Sequence, residues 1–166
     1  PELCRLFRLA FEKFLPGKAI NLGIENSSGD IIVCISGHCI PVNEHWLGNL
    51  IRNLEDPNVA GVYGRQEPMT FSSDFDKRDL MILFGQDRKI QYKDPFFHNA
   101  NSAIPRKLWK GIPFDAEITN IEDRVWAKQV LSHGYQIVYE PEASVYHHHG
   151  IHHNLNEQRA RQVVNI

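Results

Sequence analysis

The stretch that decides the fold is "IIVCISGHCIP", Ile31 to Pro41. Its first half is rich in β-branched and apolar residues and follows a Gly-Asp turn signal, which predicts a buried strand over residues 30–36. The strand leads into a small polar loop that presents one imidazole, His38. That imidazole either satisfies a hydrogen bond at the end of the strand or serves as a metal or phosphate ligand at the edge of a sheet.

Strand and helix patterns alternate on either side of this stretch, which predicts the α/β class. Apolar residues at three- and four-residue spacing predict a helix over residues 2–14, and a strand over residues 6–9 is the alternative. The other elements follow from apolar periodicity and turn residues. We expect helices over residues 18–26, 44–54, 80–84, 105–114, 120–133 and 154–166, strands over 59–63 and 96–104 and on either side of Pro141, and a polar, loop-like excursion in the rest of 64–95.

Composition limits the possible classes of protein. The 166 residues are 42% hydrophobic, which is enough for one domain over residues 1–166, ending in a polar tail helix. A net charge of −2 with interleaved signs argues against a nucleic-acid binder. No apolar run reaches about 18 residues, so we predict no membrane span. The three cysteines lack zinc-ribbon spacing and cannot all pair, which favours a reducing, cytoplasmic location.

Two acids open the clearest predicted helix, within "TNIEDRVWAKQVL". Thr119 and Glu122 have the spacing of a capping box, which is a purely structural explanation of Glu122. Asp123 lies in the first turn, where the helix dipole favours the ionised carboxylate. Such a carboxylate can accept a proton from a hydroxyl nucleophile. A solvated first-turn acid is the alternative.

A histidine cluster lies near the end of the chain, in "VYHHHGIHH". Strand alternation places Tyr146 and His148 on one face and His147 and His149 on the other. Imidazoles from separate strand ends can form a transition-metal site. His147 ends the predicted strand and is the best candidate to join His38, whereas the other histidines are more simply surface residues.

A lysine and an asparagine are one helical turn apart in the helix predicted over residues 18–26. Lys18 lies at the helix start, just after a glycine, and Asn21 shares its face. A lysine in this position is a candidate contact for a nucleotide or phosphate. A solvated lysine is the alternative.

In their order and spacing, these segments resemble the family-2 glycosyltransferases of GT-A fold. The resemblance covers residues 15–150 and is carried by "PGKAINLGIENSSGDIIVCISGHCIPVNEHWLGNLI", "FFHNANSAIPRKLW" and "PFDAEITNIEDRVWAKQVLSHGYQIVYEPEASVYHHHG". Bacterial rhamnosyltransferases of surface-polysaccharide assembly are similar, as are polypeptide N-acetylgalactosaminyltransferases, whose metal motif is Asp-x-His. The resemblance implies a GT-A-like, Rossmann-type mixed sheet flanked by helices.

The resemblance also implies roles for individual residues. Ser36-Gly37-His38 takes the place of the family's Asp-x-Asp motif, with His38 as a direct metal ligand. Ser36 replaces the first acid, which leaves the usual contact with the donor's ribose or sugar open. His147 matches a position that can complete the metal shell. In the pair Glu122-Asp123, the second acid is the implied base.

Three further positions are carried over in the same way. Lys18 matches a basic residue near the nucleotide. Asn99 and Asn101 match positions that line the donor-sugar and acceptor pocket. The excursion within residues 64–95 is expected to contribute to acceptor binding or to act as a mobile flap.

The implied reaction is inverting transfer of a sugar from a nucleotide-sugar donor to a saccharide acceptor, assisted by a divalent cation. Imidazole ligands favour Mn²⁺ over Mg²⁺, which prefers oxygen ligands. The rival hypothesis is a non-catalytic metal-binding or oligomerising module that uses the histidines. A metal-dependent hydrolase is less well supported, because no His-x-x-x-His signature accompanies them.

The resemblance exposes one gap. Family members begin with a strand, a helix and a second strand ahead of the segment that matches Pro1. We therefore expect an N-terminally truncated domain that binds nucleotide poorly and has little transferase activity. An exposed sheet edge would also favour a homodimer. The whole assignment requires His38, His147 and Asp123 to converge on one cleft.

Overall fold

The computed structural model of the protein describes residues 4–10, 14–118 and 120–148. The helices are α1 (Pro16–Glu25), α2 (Trp46–Ile51), α3 (Asp74–Leu83), α4 (Arg106–Gly111) and α5 (Glu122–Ser132). The strands are β1 (Ile31–Ile35), β2 (Cys39–Pro41), β3 (Val59–Pro68), β4 (Lys89–Gln91), β5 (Asn101–Pro105) and β6 (Gln136–His147). A short 3₁₀ helix, Arg52–Glu55, follows α2.

The strands form one mixed sheet in the order β1-β5-β3-β6-β2, and β4 also pairs with β6. β3 and β6 are parallel, whereas the other strand pairs are antiparallel. β2 pairs with the C-terminal end of β6, and β4 pairs with its N-terminal half. The predicted α/β class, with a mixed sheet flanked by helices, is confirmed.

Successive side chains of the central strands β3 and β6 are buried on opposite faces of the sheet. Tyr63 and Tyr139 belong to the larger apolar cluster, which α1, α3, α4 and α5 cover. Val62 and Val138 belong to a smaller cluster that includes Leu50 of α2. Because strand side chains alternate between faces, this pattern shows that helices cover both sides of the sheet.

Close packing fixes the position at which α5 begins. A Cβ atom added to Gly17 would lie 1.9 Å from the carbonyl oxygen of Asp115 and 3.4 Å from Cβ of Glu122, so only glycine lets α1 approach this closely. Further along α5, the indole N–H of buried Trp126 donates to the carbonyl oxygen of Ile112 at 2.9 Å. The first turn of α5 is therefore held between α1 and the core.

Four predicted helices are confirmed with shifted boundaries. α1 begins two residues before the prediction, with Pro16 in the first turn, where proline is tolerated because its missing N–H has no intrahelical partner. The helix predicted over 44–54 is α2 followed by the 3₁₀ helix. α4 and α5 lie within the predicted ranges, and α5 is followed by Gly134 at φ 85°.

The N-terminal prediction is wrong where the structure describes it. Residues 4–10 form neither a helix nor a strand, whereas residues 1–3 and 11–13 lie outside the described residues. The side chain of Leu6 is 79% exposed, and Arg5 donates to the carbonyl oxygen of Asn26 at 2.9 Å. The apolar residues of this segment pack too little to stabilise a short helix, which depends on tertiary packing.

The excursion predicted over residues 64–95 is more regular than expected. β3 continues to Pro68, the helix predicted over residues 80–84 is the end of α3, which begins earlier at Asp74, and β4 follows. Ser73 caps α3 by accepting a hydrogen bond from the N–H of Asp76 at 3.2 Å, and Leu80 and Phe84 are buried in the larger apolar cluster. Capping and packing therefore stabilise a helix whose polar sequence resembles a loop.

Two strand predictions are also corrected. The strands expected on either side of Pro141 are one strand, β6, whose pairing with β3 shifts register between Gly64 and Gln66. Such an irregularity accommodates a proline, which has no N–H to donate to the ladder. The strand predicted over 96–104 is β5, which begins at Asn101. The tail helix predicted over 154–166 lies outside the described residues.

None of the helices found in the described parts of the chain combines the length and apolar character that a membrane crossing needs.

Candidate active site

A cavity of about 760 Å³ lies along β1 and reaches the first turn of α5. Its walls come from β1 and the turn after it, from residues 97–100, and from α1 and the start of α5. The predicted site residues that line it are Ser36, His38, Asn99, Glu122, Asp123 and His147. The convergence that the sequence assignment required is therefore present.

The two predicted metal-ligating imidazoles face each other at one end of the sheet. Cys39 of β2 pairs with His147 of β6, which brings the preceding residue, His38, beside the end of β6. Nε2 of His38 lies 2.8 Å from Nε2 of His147, and the ring centroids are 4.8 Å apart in a stacked arrangement. His147 is 3% exposed, whereas His38 is exposed. The pair is therefore accessible from one side.

This pair fits a divalent cation. Two ligand atoms about 2.1 Å from a metal ion and at right angles to each other are about 3 Å apart, close to the separation of the two Nε2 atoms. Within residues 4–10, 14–118 and 120–148, no group of three or more His, Cys, Asp or Glu side chains could hold a metal. A cation here would use two protein nitrogens and complete its shell with oxygen atoms from water and substrate.

The turn that carries His38 is held by backbone hydrogen bonds. The N–H of Ser36 donates to the carbonyl oxygen of Ala100 at 3.0 Å, and the N–H of Cys39 donates to that of Ser36 at 2.9 Å. These bonds tie the turn both to itself and to the segment before β5. His38 is therefore presented on a short, anchored turn.

Asp123 has the surroundings of a proton acceptor. Its carboxylate accepts hydrogen bonds from the backbone N–H of Arg124 at 2.8 Å and from that of Asn99 at 3.4 Å. Burial, and then the negative charge of neighbouring Glu122, raise the pKa of Asp123 to about 7. A carboxyl with this pKa is partly ionised at neutral pH, which suits a general base.

The capping box predicted for Glu122 pairs it with Thr119, which lies outside the described residues. α5 begins at Glu122 itself. Asn120 has a left-handed backbone with φ 67°, a conformation that asparagine tolerates better than most residues. Glu122 is 6% exposed and lines the cavity beside Asp123.

Asn99 presents hydrogen-bond donors in the same cavity. Its Oδ1 accepts a hydrogen bond from the hydroxyl of Ser102 at 3.3 Å. Its Nδ2 is buried and has no hydrogen-bond partner among the described residues. An amide group in this position can donate to an oxygen atom of a bound ligand.

Lys18 and Asn21 are not among the described residues that line the cavity. Lys18 is exposed on α1. Asn21 instead joins elements of the core: its Oδ1 accepts from the indole N–H of Trp109 at 2.8 Å, and its Nδ2 donates to the carbonyl oxygen of Phe114 at 2.7 Å. These contacts give Asn21 a structural role.

Asn101 also lies away from the described lining of the cavity and is fully buried. Its Nδ2 donates to the carbonyl oxygen of Ala143 at 2.7 Å, and its Oδ1 accepts from the indole N–H of Trp46 at 2.9 Å. These bonds connect β5 to β6 and α2. The side chain contributes to the interior of the sheet.

Sequence analysis did not single out one residue of the cavity wall, His98. Its ring lies edge-on to that of His147, with centroids 6.5 Å apart. The one available signal was its place beside Asn99, in a segment that the sequence already assigned to the pocket. A single histidine next to two phenylalanines carries no pattern of its own.

The sheet and its flanking helices have the GT-A fold that solved glycosyltransferase structures share. Residues 2–112 match the family described as Glycosyl transferase family 2. The chain belongs to this family.

Two curated relatives are bacterial rhamnosyltransferases. The chain is 24% identical over 155 residues to the O-antigen chain rhamnosyltransferase RfbN of Salmonella typhimurium, covering 87% of this chain and 49% of the relative. It is 28% identical over 130 residues to the O-antigen chain rhamnosyltransferase WbaN of Salmonella anatum, covering 72% and 41% respectively. The chain therefore spans about half the length of these relatives.

Solved structures share the fold at low sequence identity. The mannosyltransferase PcManGT from Pyrobaculum calidifontis, in complex with GDP-Man and Mn²⁺, matches with a TM-score of 0.56 and 18% identity over 77% of this chain and 34% of that one. GalNAc-T7 with UDP, GalNAc and Mn²⁺ matches with a TM-score of 0.63 and 12% identity, covering 82% and 31%. TarS from S. aureus matches with a TM-score of 0.58 and 11% identity, covering 82% and 41%.

Proposed function

We propose that this chain carries catalytic residues of an inverting glycosyltransferase that moves a sugar from a nucleotide-sugar donor to a saccharide acceptor. The observation that carries the proposal is the convergence of His38, His147 and Asp123 on one cavity. Membership of glycosyl transferase family 2 and the two O-antigen rhamnosyltransferase relatives support a role in polysaccharide assembly.

His38 and His147 are the proposed ligands of a divalent cation. Their Nε2 atoms are 2.8 Å apart, close enough to bind one ion, and imidazole nitrogen suits Mn²⁺ better than Mg²⁺. The complexes of PcManGT and GalNAc-T7 both contain Mn²⁺, which supports a cation in this fold. When bound, such a cation neutralises charge that develops on a diphosphate leaving group.

Asp123 is the proposed general base. Its carboxylate takes the proton of the acceptor hydroxyl, and the acceptor oxygen then bonds to the anomeric carbon of the donor sugar. The bond between that carbon and the diphosphate oxygen breaks on the opposite side, which inverts the configuration. The pKa of about 7 supports this role, because the ionised base and its conjugate acid are both accessible near neutral pH.

Ser36 and Asn99 are proposed to contact the donor, since both line the cavity that the imidazole pair and the acid pair also line. The nucleotide-sugar donor is supported by GDP-Man and UDP in the two complexes above. Because this chain spans about half of its curated relatives, the donor, the acceptor and the activity of the whole protein are proposals.

The three cysteines are all free thiols, which supports a reducing, cytoplasmic location.

Titration calorimetry with Mn²⁺ tests the metal site. We expect His38→Ala and His147→Ala each to weaken Mn²⁺ binding at least about tenfold, because each removes one of two protein ligands. His45→Ala is the matched control, since that side chain is 75% exposed at the start of α2. Unchanged affinity in both cavity variants would remove the basis of the assignment.

The rival hypothesis, a metal-binding or oligomerising module, is separated by Asp123→Asn. In the full-length transferase, this variant should keep its Mn²⁺ affinity and lose about 10³-fold in the rate of sugar transfer, the range expected for a general base. A module would bind Mn²⁺ in both forms and transfer no sugar in either. Full activity of Asp123→Asn would show that another group is the base.

A further inference from the structure

Arg124 follows the proposed base in the first turn of α5 and lines the same cavity. Its guanidinium carbon lies 5.1 Å from the centre of the Phe96 ring, in a cation–π contact. Phe96 is itself anchored, because its ring packs edge-on against those of Tyr63 and Phe84, with centroids 5.4 Å and 6.0 Å apart. An aromatic platform therefore holds the guanidinium in a defined place.

The N–H donors of this guanidinium have no hydrogen-bond or ion-pair partner within the described parts of the chain. None of its nitrogen atoms is both buried and unpaired there, so solvent reaches these donors. Other arginines of the fold differ: Arg52 bonds Glu142 at 2.7 Å, and Arg106 donates to the carbonyl oxygen of Ile24 at 2.8 Å. Arg124 therefore carries donors that the fold itself does not use.

The two acids that precede Arg124 do not neutralise it. Among the described residues, neither Glu122 nor Asp123 forms an ion pair with the guanidinium, although both line the same cavity. Burial and then the charge of Glu122 raise the pKa of Asp123, and both effects exceed the opposite effect of the Arg124 charge. An arginine that lies beside two acids and pairs with neither is available to an anion of a ligand.

We propose that Arg124 binds a phosphate group of a substrate in this cavity. This inference rests on the proposed function and extends it by one binding residue. The planar guanidinium presents pairs of parallel N–H donors that match two phosphate oxygens, and it stays charged at physiological pH. The phosphate belongs either to the diphosphate of the nucleotide-sugar donor or to a phosphate that the acceptor carries, and the experiment separates these two sources.

The test is calorimetry on the 166-residue chain with Mn²⁺ alone, with inorganic pyrophosphate in the presence of Mn²⁺, and with inorganic phosphate without metal. Arg124→Met keeps an unbranched apolar side chain over Phe96 and removes the donors and the charge. We expect it to weaken binding of a phosphate probe about tenfold or more, as for lost hydrogen bonds to a charged group, and to change Mn²⁺ affinity by less than about twofold. Arg78→Met is the matched control, since it removes the same charge from an exposed position on α3.

Arg124→Lys is the second variant, because it keeps the positive charge but lacks the planar pair of donors. We expect its affinity for the phosphate probe to lie between those of the wild type and Arg124→Met. A purely structural role of Arg124 would not produce this order of affinities. Thermal unfolding establishes that each variant is folded.

The two phosphate probes identify the source of the phosphate. A loss confined to pyrophosphate with Mn²⁺ assigns Arg124 to the donor diphosphate, whereas an equal loss with inorganic phosphate assigns it to a phosphate of the acceptor. Wild-type affinity for both probes in Arg124→Met would overturn the inference, as would an equal loss in Arg78→Met or a wild-type chain that binds neither probe. If the wild-type chain binds inorganic phosphate through Arg124 but no Mn²⁺, the proposed metal site fails while this inference stands.

Discussion

Two carboxylates inside this protein have opposite surroundings. Glu140 of β6 is 2% exposed, and its Oε2 lies 3.3 Å from Nη2 of Arg52, 3.1 Å from Nδ2 of Asn53 and 3.8 Å from Nε of Arg88. Asp123 of α5 instead adjoins a second acid, accepts from two backbone N–H groups and lines a cavity. One carboxylate is enclosed by donors, and the other is left with space beside it.

The difference in surroundings indicates that the Glu140 carboxylate stabilises the fold and that the Asp123 carboxylate is a candidate for catalysis. A buried carboxylate surrounded by cations and amides holds loops together, and removing it leaves its partners uncompensated. A carboxylate whose pKa is raised by burial and by a like charge, and which borders a cavity, is a candidate functional group. Burial alone does not separate the two cases, whereas their partners do.

The largest expected effect is on stability at Glu140. We expect Glu140→Ala to lower the free energy of unfolding by about 3 kcal/mol, because it removes the buried carboxylate that accepts charge-assisted hydrogen bonds from Asn53 and half-exposed Arg52. Glu142→Ala is the matched control, since that acid also bonds Arg52, at 2.7 Å, but is 66% exposed and should cost less than about 1 kcal/mol. Urea denaturation measures both. Equal losses in the two variants would show that Glu140 is not the structural acid of this comparison.

Asp123→Asn should have the opposite effect on stability above neutral pH. With a folded-state pKa of about 7 against an ordinary value of 3.8, the folded protein binds the proton more tightly than the unfolded chain does, so the wild type loses stability as pH rises through this range. The neutral amide avoids that loss. We expect the stability of the variant relative to wild type to increase by about 2 kcal/mol between pH 5.5 and pH 8. A pH-independent difference in urea denaturation would contradict the raised pKa.

The same contrast applies to two asparagines. Asn21→Ala should cost about 2 kcal/mol in the free energy of unfolding, because the indole N–H of Trp109 loses its acceptor inside the protein. Asn99→Ala removes an amide whose Nδ2 has no partner among the described residues, so it should cost less in stability. Thermal unfolding of both variants measures the difference. A larger loss for Asn99→Ala would reverse the assignment of the two residues.

The smallest effect is a shift in pH dependence. Glu122→Gln removes the charge that, after burial, contributes most to raising the pKa of Asp123. We expect the acidic limb of the rate of sugar transfer to move about 1 pH unit lower, because activity requires the ionised base. The rate measured from pH 5 to pH 9 tests this. A limb that stays in place would show that Glu122 does not control the base.

Sequence patterns predicted most of the helices and strands, because apolar periodicity and backbone preferences depend on residues that are close together in the chain. Apolar periodicity located α1, α2 and α5, and the β-branched run before His38 located β1. The failures lie where tertiary contacts decide. The polar sequence ahead of the predicted helix over residues 80–84 is also helical, because Ser73 caps α3 and Leu80 is buried in the core. Residues 4–10 have an amphipathic pattern but too little to pack against.

Those residues of the candidate site that lie at the end of a strand or in the first turn of a helix could be predicted from the sequence. His38, His147 and Asp123 were each singled out from their local context, and the fold brings all three to one cavity. Asn21 was grouped with Lys18 because of helical spacing, and Asn101 was assigned to the pocket by resemblance, yet both bond to indole N–H groups in the interior. The direction of an asparagine side chain depends on which partners the fold brings near, and sequence spacing contains no such information.

By itself, the sequence determined the α/β alternation, the strand that ends at the first imidazole and the acid pair at the start of α5, because these depend on neighbours within a few residues. The tertiary structure alone decided that two imidazoles 109 positions apart meet at 2.8 Å, and that His98 lies in the wall of the same cavity. Both outcomes depend on strand pairing and packing between distant segments. The register of β2 against β6 is one such pairing, and no local pattern encodes it.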